Sequence, residues 1–243
     1  MRFLSLFSGI GGLDLGLERA GMTCVGQVEI DPFCTKVLKK NWPNVNRIAD
    51  ICDVKGDEFG KLDIIAAGFP CQDISNAGKR AGISAPRSGL YAQAVRCICL
   101  ARPTKALLEN VAALLRRGMG TVLRDLAEIG YDAEWDCIQA AGVGAPHERE
   151  RVFITANRVQ EGGQRLVTST YSFQPGPWGW CGEADMQLIS ESPMQQSDRW
   201  PKPIICRVDV RLPNRVDRIG GVGNSVVPQV AEVIGRAIME SAK

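Results

Sequence analysis

Cys71 directly follows a proline in the octet "GFPCQDIS" (residues 68–75), and the octet follows a strongly apolar run, "LDIIAA". A free cysteine has a pKa of about 8.5, so only a few per cent of it is thiolate at neutral pH. That thiolate is nevertheless strongly nucleophilic. The position of Cys71 predicts a partly exposed nucleophile at the end of a strand, and the alternative is a loop cysteine without chemistry.

Two later stretches add an acid and two cations. Glu109 opens "ENV" at the end of another apolar run, and Arg149 and Arg151 belong to "HERER" (residues 147–151). A carboxylic acid can hydrogen-bond a ring nitrogen of a heterocycle, and an arginine can donate to its exocyclic oxygen. On cytosine, a thiolate that adds to carbon 6 makes carbon 5 nucleophilic enough to accept a methyl group. The set therefore predicts covalent chemistry on a pyrimidine ring.

A glycine turn, "FSGIGG" (residues 7–12), stands between a predicted strand and a predicted helix, an arrangement typical of nucleotide sites. The dinucleotide fingerprint is not met, because its third glycine position is Asp14. Glu29 and Asp50 follow the next two predicted strands, where they can accept hydrogen bonds from ribose hydroxyls and from an adenine amino group. Each acid alone could be a solvated loop carboxylate. The turn and the two acids in order favour an adenosine-containing cofactor.

The elements that must position these residues alternate between strands and helices. This alternation predicts an α/β fold with a doubly wound, mostly parallel sheet, whose ligands bind at the carboxyl ends of the strands. The predicted strands are 2–7, 23–29, 45–48, 62–68, 104–110, 131–140 and 151–157. The predicted helices are 11–21, 32–42, 89–101 and 119–130, and residues 219–238 read as a glycine-rich turn followed by a final helix.

Composition excludes several classes of protein. The chain has 243 residues, 45% of them hydrophobic, which suits one α/β domain with a small appendage. It has no apolar run long enough to span a membrane, and its first residues are followed by no signal-peptide cleavage site. It contains 9 cysteines, an odd count, and a single histidine. We therefore expect a cytoplasmic monomer with reduced thiols, no metal and no membrane association. The net charge of +2 neither requires nor excludes nucleic acid.

The motifs "FSGIGGLDLGL", "GFPCQDIS", "ENV", "RER" and "GNSVVP" occur in the order found in DNA (cytosine-5)-methyltransferases, which the chain resembles over nearly its whole length. The resemblance implies a Rossmann-like methyltransferase sheet and S-adenosyl-L-methionine as cofactor. It implies methyl transfer to carbon 5 of cytosine in double-stranded DNA, through a covalent cysteine adduct on a flipped-out base. It also implies a bacterial or phage-encoded enzyme of the restriction-modification type.

The same resemblance assigns roles to residues. It makes Cys71 the nucleophile, Glu109 the acid that contacts the ring nitrogen and amino group, and Arg151 the donor to the carbonyl oxygen, supported by Arg149. The implied cofactor-binding residues are Phe7, Ser8, Gly9, Ile10, Gly11, Gly12, Glu29, Ile30, Asp50, Ile51, Pro70, Asn224, Ser225 and Val226. The candidate DNA contacts are Gln72, Ser75, Lys79, Arg80 and Arg87, and a solvated loop is the alternative for the three cations.

The resemblance also divides the chain. Residues 1–157 are predicted to form the catalytic and cofactor-binding domain, 158–210 a short, irregular target-recognition region, and 211–243 a segment that returns to the catalytic domain. Two departures stand out: His147 replaces the usual glutamine, where we predict a structural role, and the recognition region is short. Short, relaxed or partner-dependent DNA recognition is therefore expected.

Three other functions stay open. The RNA-modifying branch of the same family keeps the catalytic motifs and acts on transfer RNA. A non-catalytic cofactor- or DNA-binding module could keep the fold, although it has no need of Cys71, Glu109 and Arg151 together. A nicotinamide dehydrogenase is disfavoured by the incomplete glycine fingerprint.

Overall fold

The computed structural model describes residues 1–70, 89–145, 147–159 and 215–242, with the backbone alone for 215–219. Several predicted residues lie outside this part of the chain: Cys71, Gln72, Ser75, Lys79, Arg80 and Arg87. The predicted target-recognition region lies outside it too, apart from residues 158 and 159.

Strands and helices alternate as the sequence predicts. The strands are β1 (Arg2–Leu6), β2 (Thr23–Val28), β3 (Asn46–Ile48), β4 (Ile64–Gly68), β5 (Lys105–Val111), β6 (Tyr131–Gln139) and β7 (Glu150–Arg158). The helices are α1 (Gly12–Arg19), α2 (Pro32–Asn41), α3 (Gly89–Ala101), α4 (Leu114–Arg117), α5 (Met119–Glu128), α6 (Arg215–Asn224) and α7 (Pro228–Glu240). Short 3₁₀ turns follow β3 at Ile51–Asp53 and β6 at Ala140–Val143.

These strands form one seven-stranded sheet in the order β3-β2-β1-β4-β5-β7-β6. The first five run parallel, and β7 is antiparallel to both β5 and β6. The chain moves outward from β1 to β3 and then returns to place β4 on the other side of β1. The carboxyl ends of β1 and β4 therefore mark the switch point where ligands of such sheets bind.

Side-chain alternation along the strands builds a core on each face of the sheet. Phe3 and Ile64 pack with α1 and α7 on one face, whereas their neighbours Leu4 and Ile65 pack with α3 and α5 on the other. All four side chains are at most 1% exposed. Strands buried on both faces are typical of a sheet covered by two helical layers, which confirms the predicted α/β, mostly parallel fold.

One local prediction was wrong. The glycines at 220, 221 and 223 do not form a turn, because α6 continues to Asn224. A Cβ added to Gly221 would lie 2.9 Å from Ile10 Cγ2 and 3.5 Å from the Phe33 ring. At Gly221 the missing side chain therefore lets a helix lie close to the glycine turn after β1.

The described helices show no membrane span: none of them is long and apolar enough to cross a bilayer. Among the same residues, no group of three or more histidine, cysteine, aspartate or glutamate side chains is placed to hold a metal ion.

Candidate active site

A cleft of about 550 Å³, the first cleft, opens at the switch point between β1 and β4. It brings together predicted cofactor residues and predicted catalytic residues that are distant in sequence. The predicted residues that line it are Phe7, Gly9, Glu29, Ile30, Asp50, Ile51, Pro70, Glu109, Arg149, Arg151 and Asn224.

The turn after β1 is shaped by two residues with positive φ. Phe7 has φ 56°, which is rare for a bulky side chain and marks a conformation that the surrounding fold must impose. Gly9 also has φ 56°, and a Cβ added there would meet no atom within 4 Å. The backbone at Gly9 is therefore open toward a ligand.

Glu29, the residue directly after β2, holds this turn in place. Its carboxylate accepts the Gly9 amide at 2.7 Å and the Asp31 amide at 2.8 Å. Each carboxylate oxygen can accept more than one hydrogen bond. Glu29 can therefore hold the turn and also accept a hydroxyl hydrogen bond from a ligand in the first cleft.

Asp50 begins the 3₁₀ turn that follows β3. Its side chain accepts the Cys52 amide at 2.9 Å, and this backbone hydrogen bond is the main reason why the pKa of Asp50 is lowered. Asp50 is thus an ionised acceptor at the rim of the first cleft, and Ile51 behind it is buried.

Glu109 is the buried acid of the site. It pairs in register with Gly68 at the end of β5, and only 7% of it is exposed. Burial raises its pKa to about 7, against the opposing charges of Arg151 and Arg149. Arg151 Nε lies 3.1 Å from Glu109 Oε1. At neutral pH this carboxyl is therefore present in both protonation states and can donate as well as accept a proton.

Asn110 fixes the chain that leads to position 71. Its side chain is buried, its Nδ2 donates to the Phe69 carbonyl at 3.1 Å, and its Oδ1 accepts the Val111 amide at 2.8 Å. The bond to Phe69 ties the chain just after β4 to β5, and Pro70 lines the first cleft together with Glu109.

The remaining predicted cofactor residues do not line the first cleft. A second, larger cleft of about 1100 Å³ lies between the start of α1, the start of β7 and the junction of α6 and α7. The predicted residues that line it are Ile10, Gly11, Gly12, Ser225 and Val226, together with Arg149 and Arg151, which line both clefts.

Gly11 and Gly12 are needed for close packing. A Cβ on Gly11 would lie 2.4 Å from the Trp42 ring, and a Cβ on Gly12 would lie 2.2 Å from both Ser225 Oγ and the Val226 carbonyl oxygen. Arg149 Nη1 also donates to the Gly223 carbonyl. The segment "GNSVVP" is therefore held against the glycine turn from two sides.

Ser8 lines neither cleft. It is buried, and its hydroxyl bonds Ser5 Oγ at 3.0 Å. Ser5 Oγ in turn donates to Asp14 Oδ2 at 3.0 Å, and Gln27 Nε2 donates to Asp14 Oδ1 at 3.0 Å. Burial raises the pKa of Asp14 to about 6. This polar network joins β1, α1 and β2 directly beneath the turn, and the sequence offered no prediction of it.

A profile of the family described as C-5 cytosine-specific DNA methylase matches residues 1–176, well over half of the chain. The chain belongs to this family. Named relatives agree with this membership. It is 38% identical over 180 residues to the Type II methyltransferase M2.BsuMI of Bacillus subtilis, a match that covers 71% of this chain and 46% of that protein.

A second methylase relative is the Type II methyltransferase M.NlaIV of Neisseria lactamica, 32% identical over 174 residues, covering 65% of this chain and 41% of that one. Among solved structures, Spodoptera frugiperda DNMT2 aligns with a TM-score of 0.56 at 23% identity and shares the fold over 70% of this chain and 52% of that one. The chain spans less than half the length of these two curated relatives.

This DNA methylase family member carries cleft residues that sequence reasoning missed. Gly68, Phe69 and Leu90 line the first cleft, and Leu90 is 40% exposed. The available signal for Leu90 was its place as the first apolar residue of α3, a few positions after the basic segment that follows the predicted nucleophile in sequence. His147 is exposed at the second cleft, where its carbonyl accepts the Arg149 amide at 3.1 Å.

Replacing Gly12 with alanine is expected to destabilise the protein by about 1–3 kcal/mol, because overpacked sites force backbone shifts. The added methyl group meets the carbonyl of Val226, which cannot rotate away. Cofactor binding should weaken as well, since the segment around Asn224 must move. Thermal unfolding measures the loss of stability, and calorimetric titration measures the change in cofactor affinity. Gly120→Ala is the control, because a Cβ there meets no atom within 4 Å, and a parental melting temperature for Gly12→Ala would contradict the packing role.

Proposed function

We propose that the chain transfers a methyl group from S-adenosyl-L-methionine to carbon 5 of cytosine in DNA. One observation carries the proposal: a buried carboxyl, Glu109, lies against Arg151 in the same cleft as Phe7, Glu29 and Asp50. A site that only bound a nucleoside would not need a buried acid with a pKa raised to about 7.

The first cleft fits an adenosine-containing cofactor. Its volume of about 550 Å³ is in the range of small-molecule sites. Glu29 and Asp50 supply carboxylate acceptors for ribose hydroxyls and an adenine amino group, and Gly9 leaves the backbone open. Ile30 is 70% exposed and Leu90 40% exposed at the same cleft, so both have apolar surface to bury against a flat ring.

The chain's own side chains divide the chemistry on the base. The Cys71 thiolate adds to carbon 6 of cytosine, and the electron pair of the double bond moves to carbon 5. Glu109 in its protonated form holds the ring nitrogen, and Arg151 donates to the carbonyl oxygen. S-adenosyl-L-methionine, when bound, supplies an electrophilic methyl group. Loss of the proton from carbon 5 then restores the double bond and expels the thiolate.

The target base must leave the duplex for this chemistry. Carbon 5 and carbon 6 lie inside the base stack, so the cytosine is extruded into the first cleft at a cost of about a few kcal/mol. Gln72, Ser75, Lys79, Arg80 and Arg87 follow the nucleophile in sequence and remain our candidates for DNA contacts.

Bisulfite sequencing of plasmid DNA from cells that express the protein tests the proposal. We expect methylated cytosines in a recurring sequence context and none in plasmid from cells with an empty vector. Purified protein should transfer labelled methyl groups to duplex DNA more readily than to transfer RNA. Methylation of transfer RNA alone would assign the chain to the RNA-modifying branch. Methyl transfer to neither substrate would favour a non-catalytic binding module.

A further inference from the structure

Asp50 and Ile51 line the first cleft from a weakly supported part of the sheet. The strand that leads to them, β3, has three residues and lies at the sheet edge, where only β2 pairs with it. A short edge strand contributes few backbone hydrogen bonds. Another element must therefore hold the 3₁₀ turn Ile51–Asp53 in place.

Arg96 of α3 provides this support. Its Nη1 donates to the Val54 carbonyl at 2.7 Å, and its Nη2 donates to the Ile51 carbonyl at 2.7 Å. Its Nε donates to Gln93 Oε1 one helical turn earlier, at 2.5 Å. The planar guanidinium thus spans the two ends of the 3₁₀ turn while its own helix orients it.

We infer that Arg96 is a positioning residue for the cofactor site: it holds Asp50 and Ile51 in the conformation that receives the adenine. The inference rests on the proposed function. Arg96 does not line the first cleft, so it acts through the turn and touches no ligand. Charged donors make the stronger hydrogen bonds to carbonyl groups, and only an arginine fork reaches both carbonyls in this geometry.

The same helix contributes to the cleft directly. Leu90 lies six residues before Arg96 on α3 and lines the first cleft. One rigid helix therefore supplies an apolar wall and also fixes the turn that carries Asp50. Removing the Arg96 hydrogen bonds should leave Leu90 in place and release the turn that carries Asp50. The two contributions of α3 can therefore be measured separately.

Two variants test the inference. Arg96→Met keeps the apolar stem without the donors, and Arg96→Lys keeps the charge without the fork. If the turn occupies its binding conformation in one molecule of ten, apparent affinity falls about tenfold. In both variants, calorimetric titration should show an affinity for S-adenosylhomocysteine about tenfold lower than that of the parent. Amide hydrogen exchange at Cys52 and Val54 of the unliganded protein should be faster, because both amides are bonded within the turn.

Comparing the affinities of two ligands that differ in the adenine amino group tests whether Arg96 positions the adenine site. The parent should bind S-adenosylhomocysteine more tightly than the inosine analogue, which lacks the amino group, and Arg96→Met should lose most of this preference. In turnover assays with varied cofactor, the KM for S-adenosyl-L-methionine should rise by a larger factor than kcat falls. Arg124→Met is the matched control, because the Arg124 side chain is 64% exposed and pairs with residues of its own helix.

The two proposals fail in different ways. A parent protein that binds no S-adenosylhomocysteine would overturn the proposed function, whereas hydrogen exchange at Cys52 would still report on the Arg96 contacts. Affinity and adenine preference within twofold of the parent in both Arg96 variants would overturn the positioning role. A uniform loss of affinity for both analogues with unchanged exchange would overturn it as well.

Discussion

Replacing Cys71 with serine is expected to reduce methyl transfer to below detection while cofactor affinity stays nearly at the parental value. A serine hydroxyl does not ionise at neutral pH, so the bond to carbon 6 cannot form and carbon 5 stays unreactive. The ligand-facing groups Gly9, Glu29 and Asp50 follow β1, β2 and β3, away from Cys71 in sequence. Binding and chemistry should therefore separate cleanly in this variant.

The measurement combines a labelled-methyl assay on duplex DNA with calorimetric titration of S-adenosylhomocysteine. Cys99→Ser is a suitable control, since Cys99 is exposed on α3 and lines neither cleft. An oligonucleotide with 5-fluorocytosine should trap a covalent complex, because its carbon 5 carries no proton to release. Peptide mapping should place the adduct at position 71. Parental turnover in Cys71→Ser, or an adduct at another cysteine, would remove Cys71 as the nucleophile.

The centre of the fold was predictable because strands such as β1 and β4 show their burial in sequence. Phe3 and Leu4, or Ile64 and Ile65, are neighbours that enter different cores, and only a sheet covered on both faces needs such unbroken apolar runs. The antiparallel direction of β7 was also available from sequence. Ten residues separate β6 from β7, and a parallel crossover needs a dozen or more.

The site was predictable to the extent that strand ends meet at one edge of a sheet. Glu29, Asp50 and Glu109 follow different strands and line one cleft. Gly11 and Gly12 show the limit of such reasoning. A glycine in sequence indicates that a Cβ is not tolerated, but it does not say whether a ligand, Trp42 or Ser225 occupies the space.

Arg96 and Asn110 were beyond sequence reasoning for a different reason. Their partners are backbone carbonyls of Ile51, Val54 and Phe69, and a carbonyl acceptor is present at every residue. No residue type marks the accepting position, so such contacts emerge only when the elements are packed. The groups that position a site are therefore harder to infer than the groups that react in it.

Replacing Glu109 with glutamine is expected to slow methyl transfer about a hundredfold or more, the usual contribution of a positioned general acid. Burial raises the pKa of Glu109 to about 7 from 4.5. The protonated form, which can donate to the ring nitrogen, is therefore lost as pH rises through about 7. For the parent, kcat/KM should fall on the alkaline side of that value, whereas the glutamine variant should show no such fall.

Stability gives an independent check on the same carboxyl. Because its folded pKa lies above its unfolded value, the folded state binds more protons between about pH 4.5 and pH 7. Glu109 should therefore stabilise the protein less and less as pH rises through this window, with no further change above it. The difference in melting temperature between parent and Glu109→Gln should follow that curve, and Glu128→Gln, with a side chain 68% exposed, should not. A transfer rate within twofold of the parent would remove Glu109 from the mechanism, even if the stability curve were as expected, because burial alone would explain that curve.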